Sequence, residues 1–233
     1  MKIREKRQNT NIFKLLSILL IIIFIFSIPM IIQKLIKITK IECVSQYGNC
    51  EVLGDRLQVT GNYKNTKKQI EQILKQNIQV NSYLIQYKIP DTLKIEISLK
   101  KPKYAIFYGQ KYYLLDKNGL ILSEAIETNL PSLVVNNYQN IIGNNISDKE
   151  LFSLKIIEKV AWLYSVKVGF LENNELLITL KEGVLVHFPL EGDIDILVGS
   201  LRLVFSRLND GSQGIRISDI REIDLRYKNI VLR

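Results

Sequence analysis

Side chains able to do acid–base, thiol or metal chemistry are few and far apart in this chain. The single histidine, His187, lies in an alternating apolar stretch, "VLVHF", and reads as a strand-surface or interface residue. The only cysteines, Cys43 and Cys50, lie seven positions apart in "CVSQYGNC". A disulfide and two separate thiols are both open at this spacing. A zinc site needs about four ligands, and two cysteines with one distant histidine do not supply them. The carboxylates of Asp116, Glu124, Asp193 and Asp195 read as turn and surface residues. No nucleophile elbow, zinc-protease helix motif, phosphate loop or dinucleotide fingerprint occurs. The reading is therefore a non-enzymatic protein with no cofactor, no metal and no small-molecule substrate. A carboxylate-only hydrolase anchored at a membrane stays as an alternative.

Residues 15–32, "LLSILLIIIFIFSIPMII", carry no charge. A helix rising about 1.5 Å per residue over this run and its apolar flanks would span the roughly 30 Å hydrocarbon layer of a bilayer. A cleaved signal peptide would show a shorter apolar stretch and a small-residue cleavage site. Here "QKLIKITK" follows instead, so a retained anchor over 15–36 is expected. Lys2, Arg4, Lys6, Arg7 and Lys14 precede the run, and Lys34, Lys37 and Lys40 follow it. This asymmetry puts the tail 1–14 in the cytoplasm and the rest outside. The net charge of +9 sits mostly in these membrane flanks, where it can meet anionic lipid. No later basic patch interleaved with aromatics points to nucleic acid.

Beyond the anchor, the hydrophobic period alternates between helix and strand. Ile70, Ile73 and Leu74 mark an amphipathic helix in "NTKKQIEQILKQN". "LQVTG" reads as a short strand closed by Gly61, and 78–90 fits neither period. Leu93, Ile95, Ile97 and Leu99 alternate with polar residues and predict a strand. "PKYAIFYG", "KYYLLD" and "GLIL" follow as a meander, with "DKNG" as a turn. "SDKE" at 147–150 is a capping box for a helix to about residue 165. "ELLITL" and "VLVHF" form a hairpin about Lys181–Gly183, and Leu197, Leu201, Val204 and Leu208 mark a further helix. In "REIDLRYKNIVLR", residues 221–233, Ile223, Leu225 and Tyr227 fall on one face of a strand. Asp224, Arg226 and Lys228 fall on the other. Lys228 and Asn229 read as a turn, with Ile230–Leu232 returning as a short strand.

The fold class is thus α+β. One transmembrane helix is followed by two small modules, 37–103 and 104–233, with helices covering antiparallel sheets. An open sheet edge in such a module presents unpaired backbone groups to which a partner strand can add.

This layout resembles the FtsQ/DivIB bacterial cell-division family. The resemblance is carried by "YKIPDTLKIEISLKKPKYAIF" at 87–107, "YYLLDKNGLIL" at 112–122 and "EIDLRYKNIVLR" at 222–233. "LPSLV" at 130–134 and Gly143 add to it. The matching marks are Pro90, Pro102, Asp116, Gly119, Asp224, Leu225 and Arg226. Two departures stand out. Lys100 and Lys101 precede Pro102 where the family often has Glu-Arg. "ECVSQYGNCEVLGDRLQVTG" also separates the first strand from its V-x-G turn. The resemblance implies a POTRA domain at 37–103, built of strands packed by two helices, and a β domain at 104–233. It implies a divisome scaffold in the cytoplasmic membrane at the division septum. Its partners would be the coiled-coil FtsB/DivIC-type and FtsL-type proteins and other divisome membrane proteins, in support of septal peptidoglycan synthesis. The implied partner-binding residues are Asp224, Arg226, Tyr227, Lys228, Asn229, Ile230 and Val231. A POTRA-containing translocation or envelope assembly factor is the other non-enzymatic reading.

Overall fold

The computed structural model describes residues 36–50, 53–54, 57–136, 141–181, 183–209, 219–227 and 229–233. The expected cytoplasmic tail and almost all of the expected anchor lie outside these residues, as does Lys228. No helix among the described residues is long and apolar enough to cross a membrane. The chain divides into two compact units, one ending at Leu99 and one beginning at Lys100.

The first unit holds β1 (Lys37–Ile38), β2 (Lys40–Ser45), β3 (Gly48–Asn49), β4 (Gly61–Asn62), α1 (Tyr63–Gln76), β5 (Val80–Lys88) and β6 (Thr92–Leu99). Asn62 caps α1 by accepting from the Lys64 N–H at 3.0 Å. Ile70 and Leu74 from α1 meet Leu93, Ile95 and Ile97 from β6 in a closed core. Burying each such side chain contributes roughly 1.5–3 kcal/mol. Residues 78–90, ambiguous by period, contain β5, which pairs antiparallel with β6. The expected strand in "LQVTG" is displaced: residues 58–60 are irregular, and the pairing begins at Gly61, where β4 meets β1. The sheet order is β3-β2-β6-β5, and β2 runs parallel to β6. One α-helix and short 3-10 turns at Leu53–Gly54 and Leu57 are described here, against the two helices that the resemblance implies.

Cys43 and Cys50 are joined in a disulfide with their Cα atoms 5.7 Å apart. That separation lies in the ordinary range for a bridge. It ties β2 to the segment leaving β3.

The second unit is a nine-stranded sheet in the order β15-β14-β13-β12-β11-β10-β7-β8-β9. Its strands are β7 (Tyr104–Tyr108), β8 (Lys111–Leu115), β9 (Ile121–Ala125), β10 (Ser132–Val135), β11 (Val168–Glu172), β12 (Glu175–Thr179), β13 (Leu185–Phe188), β14 (Glu222–Asp224) and β15 (Val231–Leu232). Its helices are α2 (Asp148–Tyr164) and α3 (Ile194–Asn209). The expected meander β7-β8-β9 and the hairpin β12-β13 are present. The expectation of an antiparallel sheet is corrected. β10 runs parallel to both β7 and β11, and β14 runs parallel to β13. The cause is topological: α2 connects β10 to β11 and α3 connects β13 to β14, and such helical crossovers join parallel strands. Alternation of side chains reports a strand but not its direction.

The two helices pack side by side, with the Tyr164 and Phe205 rings 5.1 Å apart. Leu154, Ile157 and Val160 from α2 join Leu201 and Phe205 from α3 in the larger core. Gly169 in β11 makes close packing possible, because a Cβ there would lie 2.9 Å from both Ile157 Cδ1 and Leu176 Cδ1. The capping box forms as its pattern predicts. Glu150 N–H donates to Ser147 Oγ at 3.3 Å, and Ser147 N–H donates to Glu150 Oε2 at 2.7 Å. Asp116 closes the β8–β9 turn by accepting from the N–H groups of Asn118 and Leu120 at 2.8 and 3.0 Å. Gly119 is needed in that turn. Its φ is +84°, and a Cβ would meet Ile146 Cγ1 at 2.8 Å.

Candidate functional site

The end of the sheet formed by β13, β14 and β15 brings together most of the residues that the resemblance implies. β14 is shorter than the alternation of 223–227 suggests: pairing stops at Asp224. Leu225 remains buried and donates its N–H to the His187 carbonyl at 2.9 Å, but Arg226 and Tyr227 have left the strand. Tyr227, expected beside Ile223 and Leu225, is 56% exposed.

Asp224 departs furthest from expectation. The alternating pattern places it on an exposed face, yet it is 1% exposed. On that face Asp224 sits between its cross-strand neighbours, His187 of β13 and Val231 of β15, and the Arg226 side chain folds onto its carboxylate. A buried carboxylate must be paired and hydrogen-bonded, and Arg226 does both. Arg226 Nε donates to Asp224 Oδ1 at 2.9 Å, a terminal nitrogen donates to Oδ2 at 2.6 Å, and the Arg226 backbone N–H reaches Oδ1 at 3.1 Å. The fork is bidentate, the strong form of this contact.

The other terminal nitrogen of Arg226 lies 2.7 Å from Glu175 Oε2 on β12. His187 Nδ1 on β13 lies 3.0 Å from the same oxygen. A carboxylate only accepts, so Nδ1 carries the proton. The guanidinium thus joins β14 to β12, and His187 on β13 joins them through the same Glu175 oxygen. Glu175 is not singled out by the sequence, and His187, expected at a strand surface or interface, takes part in this cluster. The Arg226 Cζ also sits 5.7 Å from the centre of the Tyr227 ring. The cluster therefore holds the turn that delivers β15.

Hydrogen bonds from Arg226 hold the Asp224 carboxyl at about 2, well below its ordinary 3.8 and against the upward push of burial. Between those two values the unfolded chain binds more protons than the folded one. The stabilisation is therefore complete above about pH 4 and is lost as pH falls towards about 2. Its size is about 2 kcal/mol. Denaturant titrations of the native chain and of Asp224→Asn will check this: from about pH 5 to about pH 2 the native chain loses about 2 kcal/mol more than the variant.

β15 stands at one end of the sheet, and no strand among the described residues lies beyond it. Glu222 and Arg233 exchange both backbone hydrogen bonds at 3.0 Å. Bonded and non-bonded pairs alternate along an antiparallel ladder. Leu232, opposite Ile223, therefore turns its N–H and C=O away from β14. Beside this edge lies a groove of about 350 Å³, walled by Leu203, Val204, Arg207 and Leu208 of α3 and by Asn229, Ile230 and Leu232. Leu203 is 51% exposed and Leu232 38%, so the groove offers apolar side chains to solvent alongside Arg207 and Asn229. The α3 wall escaped sequence reasoning, because only the fold brings residues 203–208 beside 229–232.

The structure thus joins Asp224, Arg226 and Tyr227 in one cluster and sets Asn229, Ile230 and Val231 along the edge. The four carboxylates weighed for chemistry are engaged locally. Asp116 holds its turn, Glu124 pairs with Lys111 at 2.8 Å, Asp193 accepts from the N–H groups of Asp195 and Ile196, and Asp195 pairs with Lys159. No cluster of three or more metal-ligating side chains occurs among the described residues.

Scans against models of known protein families and against curated proteins return no match for this chain.

Proposed function

We propose that this chain is a membrane-anchored divisome scaffold of the FtsQ/DivIB type. In this reading residues 15–36 anchor it in the cytoplasmic membrane, the first unit is a POTRA domain outside the cytoplasm, and the second unit is the partner-binding β domain. The scaffold acts without catalysis. It receives an extended segment of a coiled-coil FtsB/DivIC-type protein, together with its FtsL-type companion, and so supports septal peptidoglycan synthesis.

The observation that carries this reading is the open β15 edge beside a groove, in which Asn229, Ile230 and Val231, where the resemblance places the partner contact, lie along the edge. An added strand gains affinity from backbone hydrogen bonds, and the groove selects its side chains. Asp224 has a different part from the one the resemblance suggests. It is buried and already paired, so it positions Arg226 and the turn while Tyr227, Asn229, Ile230 and Leu232 meet the partner.

A photoreactive side chain at Tyr227, in the full chain within dividing cells, tests the reading. The expected product is a crosslink to an FtsB/DivIC-type protein. Capture of no division protein by a correctly inserted chain overturns it.

A further inference from the structure

The first unit has a long open edge of its own. β5 runs nine residues at the end of the order β3-β2-β6-β5, with β6 on one side and no strand on the other among the described residues. Proteins usually blunt such edges with charges, prolines, bulges or short length. β5 has one register shift, between Val80 and Ser82, and one charge, Lys88, at its far end. Its middle, Ser82–Gln86, reads "SYLIQ", with no charge, proline or glycine. β3 is only two residues long, and β15, equally short, is the edge already assigned to the proposed partner. Ile121 of β9 is already engaged by its own chain, donating to the Asn144 carbonyl and accepting from the Gly143 N–H, both at 3.0 Å.

We propose that β5 is a homodimer edge, on which a second copy of this chain lays its own β5 antiparallel about a two-fold axis at Leu84. An isologous interface requires each residue to suit its symmetry mate, and this segment does. Ser82 meets the partner's Gln86, Tyr83 meets the partner's Ile85, and Leu84 meets the partner's Leu84. Within Ser82–Gln86 polar faces polar and apolar faces apolar across the axis; outside this stretch Asn81 meets the partner's Tyr87. Lys88 falls opposite the partner's Val80, so the two lysines stand at opposite ends. Backbone addition alone would accept any extended segment; the mirrored order of side-chain types selects a second copy.

Burial agrees with this. Tyr83, Ile85 and Tyr87 are half-buried against the first core, on the side packed by α1. Leu84 points the other way and is 50% exposed. Pairing covers Leu84 with its own mate and continues the half-buried row into the partner's. Glu96, opposite Leu84 on β6, is held by Lys94 at 2.6 Å, so no unneutralised like charges gather at the axis.

The test is disulfide crosslinking of the full chain, in which the native cysteines are already joined to each other. Opposed Cα atoms in an antiparallel pair lie about 4.5–5.5 Å apart, within disulfide reach. Leu84→Cys alone is expected to give a covalent dimer under mild oxidation. Lys88→Cys alone is expected to give none, since it lies about 25 Å from its mate. Val80→Cys mixed with Lys88→Cys is expected to give the mixed dimer. Leu84→Lys sets two like charges face to face and is expected to weaken dimerisation at least about tenfold in sedimentation, with an unchanged circular dichroism spectrum, because the side chain is half in solvent. Three results overturn the proposal: Leu84→Cys that stays monomeric, equal crosslinking at 84 and 88, or crosslinking at 84 only to a different protein.

Discussion

Replacing Arg226 with alanine is expected to destabilise the second unit by about 3–5 kcal/mol, the cost of leaving a buried carboxylate without its partner. The asymmetry of the pair makes the prediction specific. Asp224 is 1% exposed as a side chain while Arg226 is 34% exposed. Without Arg226 the carboxylate loses both of its side-chain donors. Without Asp224 the guanidinium keeps Glu175 at 2.7 Å and can turn towards solvent. Asp224→Ala is therefore expected to cost less, about 1–2 kcal/mol. The double variant, with no unpaired charge at this position, is expected to be more stable than Arg226→Ala alone. Urea denaturation of the three variants checks the order. A loss below about 1 kcal/mol in Arg226→Ala would mean that the cluster is ordinary surface pairing.

The same buried pair shows where sequence reading stopped. Alternation of Ile223 with Asp224 is the mark of a half-buried strand, and it identifies Ile223 and Leu225 as core. It cannot show that Arg226 folds back over the second face and buries Asp224 there, because that contact forms only once the chain leaves the strand. Elements whose evidence is local were legible: α1 from Ile70, Ile73 and Leu74, α2 from Ser147 and Glu150, and the β8–β9 turn from Asp116 and Gly119. β5 was not, because its tyrosines, serine and glutamine make a weakly alternating row on an edge that is covered on one face only. The parallel pairings were hidden for a related reason. α2 and α3 were visible as helices, but their role as crossovers depends on which strands they join. At the candidate site, residues 223–232 were legible as a strand, a turn and a strand. Glu175, the contact His187 makes with it and the α3 wall were not, since contacts between residues far apart in the chain leave no local period.

Leu232→Pro is expected to leave the second unit folded while lowering its affinity for the proposed strand-donating partner by about 100-fold or more, equivalent to about 2.7 kcal/mol. The ladder alternation directs the Leu232 N–H away from β14, so proline removes no hydrogen bond from the sheet. Proline is tolerated on edge strands in this orientation, and Val231 before it is already extended, as a residue preceding proline must be. For an incoming strand the change is severe. The donor that would meet its first carbonyl is gone, the ring fills the space beside the edge, and the carbonyl loses water without gaining a partner. One such unsatisfied group costs about 1–3 kcal/mol. Val231→Pro is the contrasting control. Val231 faces Asp224 in a position where the same alternation turns its N–H inward, so that variant is expected to loosen β15 and lower stability as well as binding. Titration of purified partner against both variants, with denaturation run in parallel, separates the two effects. Unchanged affinity in a folded Leu232→Pro chain would mean that the partner does not add to this edge, and strand addition at β15 would have to be abandoned even if the groove lined by Leu203 and Ile230 still bound it.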